Sequence, residues 1–148
     1  MANFAIMGFG TVGKGVAEVL RMNGPSIAGK IGEPLKLKYI LHRRDLSDSP
    51  YADLIVKDFS VLENDPDLDV IVECIGGATA ALDYTRRALR AGKHVVTSNK
   101  EVVAAHGKEL LALAREHNVN YLFEASVGGG IPVLRPLFQC LAGNQIEE

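Results

Sequence analysis

The chain has 148 residues, of which 47% are hydrophobic and 23% are charged, so the composition predicts one globular domain with a buried core rather than disorder. Its 16 basic residues against 18 acidic ones leave a formal net charge of −2, which gives no electrostatic reason to expect nucleic acid or an anionic membrane as a partner. Only 6% of the residues are aromatic and tryptophan is absent, which disfavours a surface for stacking single-stranded bases.

Features that would place the chain in a membrane or a secretory compartment are absent from the sequence. No apolar run approaches the roughly 20 residues that span a bilayer. The first residues carry no basic flank and no cleavable apolar stretch, so we expect a cytoplasmic protein. Cys74 and Cys140 lie far apart without metal-ligand spacing, and we expect both to be reduced thiols.

The first 42 residues show a strand, a helix and a second strand. An apolar run at 4–7 is typical of a buried parallel strand. Apolar positions recur at helical spacing over 11–22, and the sequence Asn23-Gly24-Pro25 predicts the end of that helix. Residues 26–34 are then expected to be an irregular connector, and residues 35–42 a second strand.

The rest of the chain alternates in the same way. Residues 46–58 are polar and turn-rich, with a short strand expected near 54–56. The later predicted elements are, in chain order, strand 69–75, helix 80–91, strand 94–97, helix 108–118, strand 121–123, loop 127–132 and helix 133–141. Regular alternation of strands and helices predicts an α/β fold with a doubly wound parallel sheet in a single domain. We place that domain at 1–141 and interpret 142–148 as the start of a link to a missing substrate domain.

The sequence Gly8-Phe9-Gly10-Thr11-Val12-Gly13 matches the G-x-G-x-x-G pattern of dinucleotide-binding Rossmann folds. The pattern alone is weak, but here a predicted strand precedes it and a predicted helix follows it. Gly8 would permit the tight turn, Gly10 would let a pyrophosphate approach the backbone, and Gly13 would let the helix pack against the strand. The helix N-terminus would supply free N–H groups to the phosphates. The alternative is a glycine turn that binds no ligand.

The end of the second predicted strand bears on the choice of nucleotide. NAD sites usually have Asp or Glu there, whereas this chain has Arg43 and Arg44 after His42. A guanidinium suits a 2′-phosphate by charge and by its planar set of donors. The sequence therefore favours NADP, with Arg43 the first candidate contact and Lys57 a further one, although NAD stays open and both arginines could be merely solvated. The same residues count against an S-adenosylmethionine site.

Two further strand ends carry residues suited to the other half of a dinucleotide. Cys74 and Gly76 lie at the end of the strand predicted at 69–75, where small residues would let the backbone approach a ribose. Ser98, Asn99 and Lys100 follow the next strand. The polar side chains there could hold the nicotinamide ribose, and Lys100 could reach a substrate carbonyl or carboxylate, unless it is a surface lysine at a helix start.

Residues 124–132 contain three consecutive glycines at the end of the last predicted strand. Such a run costs conformational entropy, so it marks a backbone that bends sharply or touches something. Exposed carbonyls in this loop could coordinate a hard cation.

These motifs together resemble homoserine dehydrogenase, and the resemblance covers the whole chain. It depends on the glycine motif at 8–13, on the sequence at 97–101 and above all on the sequence at 124–132. The family reduces aspartate 4-semialdehyde to homoserine with NAD(P)H in threonine and methionine biosynthesis, so the resemblance implies that activity. It also implies that Lys100 lies beside the nicotinamide and substrate and acts as a catalytic residue, and that the full-length protein is a homo-oligomer. It further implies a sodium ion bound through four carbonyls, those of Glu124, Val127, Gly129 and Ile131.

The chain departs from that family in length. It lacks the substrate domain with its Asn-Gly-Thr motif, its substrate-binding acid and its proton-donating lysine. We therefore expect this chain to bind NADP(H) weakly and to turn over no substrate alone. Two alternatives remain open: a dehydrogenase of another small aldehyde or amino acid, with Cys74 as its only candidate reactive thiol, and a non-catalytic nucleotide-sensing module.

Overall fold

The fold is built on a six-stranded, wholly parallel sheet. The computed structural model describes residues 2–44 and 46–140. Its strands are β1 (Ala2–Met7), β2 (Leu35–Leu41), β3 (Ile55–Val56), β4 (Val70–Glu73), β5 (His94–Thr97) and β6 (Tyr121–Leu122). Their spatial order is β3-β2-β1-β4-β5-β6, the doubly wound arrangement that the sequence predicts. The predicted fold class is thus confirmed.

Residues 2–44 and 46–140 also form six helices, of which the last two follow β6. They are α1 (Thr11–Ile31), α2 (Ser60–Glu63), α3 (Thr79–Arg90), α4 (Lys100–Glu116), α5 (Glu124–Val127) and α6 (Leu134–Cys140). A 3₁₀ turn at Ala52–Leu54 precedes β3. Among residues 2–44 and 46–140, no helix combines the length and the apolar character needed to cross a lipid bilayer.

The two faces of the sheet carry separate apolar clusters. Phe4 and Ile6 belong to the cluster that includes Ala17 of α1, whereas Ala5 and Met7 belong to the one that includes Leu110 of α4. Successive side chains of a strand point to opposite faces, so β1 is covered on both sides. This double coverage explains why residues 4–7 of β1 are continuously apolar rather than alternating.

The predicted end of the first helix is wrong. Helix α1 passes through Asn23-Gly24-Pro25 and ends at Ile31, so the expected connector at 26–34 is mostly helical. The stop lies at Gly32, which adopts a left-handed conformation with a φ of 84° and donates its N–H to the carbonyl of Ala28. A glycine in that conformation closes the last helical turn, and this cap outweighs the local cost of Pro25.

The start of the fourth helix also differs from the prediction, by eight residues. Helix α4 begins at Lys100 rather than at residue 108, because the Asn99 side chain accepts a hydrogen bond from the Val102 N–H at 3.1 Å. Asparagine is a strong N-cap, so the signal was present in the sequence. The short helices α2 and α5 were not predicted. The final helix was predicted at 133–141, and Leu141 lies outside the described residues, as does the whole segment 142–148.

The sheet order places a topological switch between β1 and β4. The chain runs outward from β1 through β2 to β3, and then returns to build β4, β5 and β6 on the other side. Crossovers diverge at this point, which leaves a crevice beyond the carboxyl ends of β1 and β4. Open α/β sheets bind their ligands in such a crevice.

Candidate dinucleotide-binding site

The glycine turn after β1 is packed too closely for side chains at two positions. Gly8 has a φ of 90°, and a Cβ there would lie 2.7 Å from the carbonyl oxygen of Cys74. A Cβ on Gly13 would lie 2.1 Å from the carbonyl oxygen of Gly8. The middle glycine is different, because a Cβ on Gly10 would meet no atom within 4 Å. Gly8 and Gly13 are therefore required by the protein itself, while Gly10 leaves open space above the turn.

The N-terminus of α1 faces that open space. Gly10 is the N-cap residue without a side-chain cap, and the first turn contains no acidic side chain. Thr11 and Val12 are both exposed at the start of the helix. An uncapped N-terminus of a 21-residue helix presents N–H donors and a partial positive charge, which together favour an anionic group.

A cleft of about 660 Å³ opens over the turn and runs along the carboxyl ends of the strands. It brings together most of the residues predicted for the adenosine side, and its polar and charged lining includes Thr11, Lys14, His42, Arg43, Arg44 and Lys57. Among the lining residues that the structure describes, four are lysine or arginine and none is Asp or Glu. The cleft therefore offers a cationic surface beside an uncapped helix N-terminus.

His42 ties the glycine turn to the end of β2. Its Nδ1 accepts a hydrogen bond from the Phe9 N–H at 3.3 Å, and its own backbone N–H donates to the carbonyl of Val56 at 3.0 Å. Burial lowers the pKa of the imidazole, and the nearby charges of Arg44 and Lys14 lower it further. A neutral imidazole can accept that bond, so His42 supports the turn at neutral pH.

His42 and Lys14 are among the cleft residues that sequence reasoning missed. The four histidines are scattered without ligand spacing, which favoured a surface or strand-end role for each. Lys14 directly follows the glycine motif in α1 and lines the cleft. Its position one residue after the motif was the available signal, because the first turn of that helix faces the predicted phosphate site.

Cys74 and Gly76 line the same cleft at the carboxyl end of β4. Burial raises the pKa of the Cys74 thiol to about 11, with a smaller contribution from the Glu73 carboxylate. A thiol with such a pKa is protonated at neutral pH and is a poor nucleophile. The structure therefore disfavours the aldehyde chemistry that would need Cys74 to be reactive.

Ser98, Asn99 and Lys100 lie at the carboxyl end of β5 and do not line the cleft. The Asn99 amide nitrogen donates to the carbonyls of Ile75 and Gly77, at 3.1 and 2.8 Å, and its oxygen caps α4. The side chain of Asn99 is thus engaged in joining two strand ends. Lys100 is exposed at the first position of α4, on the side of the switch point opposite Arg43.

The segment after β6 forms the short helix α5 and then an irregular loop at 128–133, close to the loop predicted at 127–132. The Glu124 carbonyl accepts a hydrogen bond from the Gly128 N–H at 3.1 Å, and a Cβ on Gly128 would lie 2.6 Å from the Ile131 carbonyl oxygen. Gly128 thus lets the Ile131 carbonyl approach the end of α5. Val127 and Ile131 have exposed side chains, and a Cβ on Gly129 would meet nothing within 4 Å.

Carboxylate, imidazole and thiolate groups do not form a metal site in the described part of the chain. No three such side chains converge there into a cluster that could hold a metal ion. A cation in the segment 124–131 would therefore depend on backbone carbonyls, the ligands that hard monovalent and divalent ions accept.

The Glu124 side chain caps α6. Its carboxylate accepts hydrogen bonds from the backbone N–H groups of Val133, Leu134 and Arg135, at 2.5, 2.8 and 2.9 Å. These three bonds hold the pKa of Glu124 below its ordinary value of 4.5. The carboxylate thus closes the segment 124–135 into a ring that includes the glycine run.

We expect Glu124→Gln to loosen this ring, because an amide has one acceptor oxygen for three donors. The folded-state pKa is depressed, so the stabilisation is fully present above the unfolded value and is lost as the pH falls through the folded value. Amide hydrogen exchange at residues 133–135 should be faster in the variant at neutral pH, and in the wild type on acidification. Glu116→Gln, at an exposed position ending α4, is the control. Unchanged exchange in Glu124→Gln would contradict the capping role.

Comparisons of the sequence and of the structure with known proteins both find similarity to homoserine dehydrogenases. A family model described as homoserine dehydrogenase, NAD binding domain, matches residues 8–124. The homoserine dehydrogenase of Bacillus subtilis is 39% identical over 145 residues, which cover 95% of this chain and 33% of the relative. The chain therefore spans about a third of the length of the curated relatives it matches.

Solved structures of similar proteins share the fold. The crystal structure of a homoserine dehydrogenase from Thiobacillus denitrificans aligns with a TM-score of 0.91 at 36% identity, covering 99% of this chain and 34% of that one. A hyperthermophilic archaeal homoserine dehydrogenase in complex with NADPH aligns with a TM-score of 0.76 at 26% identity, covering 92% of this chain and 47% of that one.

Proposed function

This chain belongs to the family of homoserine dehydrogenase NAD-binding domains, and from that premise we propose that it holds NADP(H) for the interconversion of homoserine and aspartate 4-semialdehyde. One observation carries the cofactor part of the proposal. The cleft at the topological switch point joins an uncapped helix N-terminus, a glycine turn with open space at Gly10 and four basic side chains. A pyrophosphate needs the first two features, and a 2′-phosphate needs cations without a competing carboxylate.

The preference for NADP over NAD depends on the end of β2. An acidic side chain there would bond the free 2′-hydroxyl of NAD, but this strand end carries Arg43 and Arg44. Lys57 lines the same cleft after β3 and would add a third charge. The archaeal relative with NADPH bound is consistent with this choice.

The nicotinamide, when bound, supplies the hydride that reduces the aldehyde carbon. This chain's own residues would orient the dinucleotide along the strand ends, from Arg43 at β2 to the segment after β5. Lys100 stands at the start of α4 on that far side and would place its ammonium group near the substrate carbonyl oxygen. A cation there stabilises the alkoxide that develops as the carbonyl is reduced.

The segment after β6 would hold a sodium ion through the carbonyls of Glu124, Val127, Gly129 and Ile131. The close approach of the Ile131 carbonyl to Gly128 supports this choice, since both ends of the segment turn toward one another. The domain limits of 1–141 and 142–148, the homo-oligomeric full-length protein and the cytoplasmic location stay predictions.

Titration of the 148-residue chain with the two reduced cofactors tests the proposal. We expect NADPH to bind at least about tenfold more tightly than NADH, because charge-assisted hydrogen bonds to a 2′-phosphate are the difference between them. Sodium should strengthen the binding more than potassium does. Homoserine with NADP should yield no NADPH from these 148 residues, because they span about a third of the length of their homoserine dehydrogenase relatives. A chain that binds neither NADPH nor NADH would refute the proposed function.

A further inference from the structure

A fully buried carboxyl group, Glu73, lies at the carboxyl end of β4 beneath the proposed cofactor site. It is 0% exposed, and burial raises its pKa. One carboxyl oxygen accepts a hydrogen bond from the Ile75 N–H at 2.7 Å, and the other accepts from the Thr97 hydroxyl at 2.5 Å. Nothing in the binding of pyrophosphate or 2′-phosphate uses this group. Burying a carboxyl group costs free energy that burying an apolar side chain would not. The presence of Glu73 at this position therefore needs an explanation.

The Thr97 hydroxyl links Glu73 to the start of α4. Its oxygen accepts a hydrogen bond from the Asn99 N–H at 2.9 Å while its hydrogen is donated to Glu73. The Asn99 side chain returns to the β4 end by donating to the carbonyls of Ile75 and Gly77. The bonds form a closed circuit from the end of β4 to the end of β5 and back.

This circuit determines the position of two segments at once. Residues 74–77 follow β4, and the backbone of Cys74 presses against the glycine turn at Gly8. Residues 98–100 follow β5 and include Lys100, the first residue of α4. Outside the circuit, the Ser98 N–H donates to the Glu73 carbonyl at 3.3 Å, and the side chains of Cys74 and Ser98 share a hydrogen bond. The sheet ladder ends at the pair Glu73 and Thr97, so beyond that pair the spacing of the two segments depends mainly on side-chain hydrogen bonds.

The sheet order decides which half of a dinucleotide would rest on these segments. Arg43 and Arg44 stand at the end of β2, on one side of the glycine turn, and β4 and β5 lie on the other side. A dinucleotide with its pyrophosphate over the turn and its adenosine toward β2 extends its nicotinamide half over the ends of β4 and β5.

We propose that Glu73 and Thr97 are positioning residues, which set the spacing of segments 74–77 and 98–100 and thereby shape the subsite for the nicotinamide half of the cofactor. The inference depends on the proposed function, since it assigns a subsite within the same cofactor site. Neither residue touches the nucleotide. Both act through the backbone of Ile75, Gly77 and Asn99.

Thr97→Val tests the inference because valine has the shape of threonine without the hydroxyl. We expect its affinity for NADPH to fall about threefold to tenfold, as for the loss of buried hydrogen bonds. Its affinity for adenosine 2′,5′-bisphosphate, which lacks the nicotinamide half, should not change. The emission maximum of bound NADPH should shift toward its value in water, because the ring sits in a looser site.

Two other substitutions serve as controls. Thr97→Ser keeps the hydroxyl and should bind both probes like the wild type. Thr85→Val makes the same chemical change at a buried threonine in α3 whose hydroxyl has no hydrogen-bond partner in the described structure. It should leave both affinities unchanged.

Glu73→Gln provides a second variant, and circular dichroism checks the folding of each protein. The amide has one acceptor oxygen for two donors, so we again expect weaker NADPH binding with the bisphosphate unaffected. If Thr97→Val fails to fold, the Glu73→Gln result decides. Wild-type NADPH affinity in the folded variants, or an equal loss for both probes, would overturn the positioning role while leaving the proposed function intact. A wild-type chain that binds neither probe would instead overturn the proposed function and, with it, this inference.

Discussion

Gly13→Ala is expected to destabilise the fold by about 2–4 kcal/mol, the range of severe overpacking of a core. A methyl group there would lie 2.1 Å from the Gly8 carbonyl oxygen and 3.2 Å from the Ile6 side chain. Neither neighbour can move easily, because Gly8 is held in turn by its N–H bond to the Leu41 carbonyl, at 2.9 Å. Chemical denaturation followed by circular dichroism measures the effect, and NADPH affinity should fall with it because the phosphate turn is displaced.

Gly15→Ala is the matched control for that prediction. Gly15 lies in the same helix two residues later, and a Cβ there would meet no atom within 4 Å. The substitution should stabilise the protein by about 0.5–1 kcal/mol, because alanine loses less backbone entropy than glycine in a helix. Equal stability of the two variants would show that the turn and helix are not packed as described.

Arg43→Ala is expected to lower the affinity for NADPH about tenfold to hundredfold, the range for losing hydrogen bonds to a charged group. The guanidinium lines the cleft at the end of β2, where the 2′-phosphate is expected, and no described acidic residue in the cleft competes for it. NADH lacks that phosphate, so its affinity should stay the same. Fluorescence titration with both nucleotides therefore measures a change of specificity rather than of general binding.

Arg90→Ala controls for the loss of a positive charge. Arg90 is exposed at the last position of α3, whereas the cleft contacts that helix through Ala80 and Tyr84. A helix rises about 1.5 Å per residue, which places Arg90 about 9 Å along the axis from Tyr84, the nearer of the two. Neither cofactor should bind differently. If Arg43→Ala weakened NADPH and NADH equally, the 2′-phosphate assignment would be wrong, and Lys57 or Arg44 would be the next candidates.

The fold was predicted correctly where the residues that form an element, or two adjacent elements, are close together in the sequence. The apolar run of β1, the glycine motif and the helical spacing after it lie within 22 residues, so their relation is local. The position of the helix end was not predicted correctly, since Pro25 and Gly32 are both plausible stops and periodicity does not rank them. The N-cap at Asn99 was overlooked, although asparagine before a helix is a local signal.

Site residues were predicted correctly where the end of a predicted strand carries basic or small residues. Arg43, Cys74 and Gly76 indeed line one cleft, because parallel strands bring their carboxyl ends to one edge of the sheet. His42 and Glu73 were not found, since their partners are 33 residues away for His42 and 24 residues away for the Thr97 hydroxyl on Glu73. Contacts across such separations have no signature in spacing.

By itself, the sequence determined the alternation of strands and helices, the glycine turn and the cationic strand end. The sequences at 8–13, 97–101 and 124–132 indicated the family. Hydrophobic periodicity and glycine conformation are local properties, so they can be recognised in the chain alone. Only the tertiary structure decided which side chains are used up in holding the site together, as Asn99 and Glu124 are, and which face the cleft. Those roles arise from pairings between distant segments, which exist only once the sheet has formed.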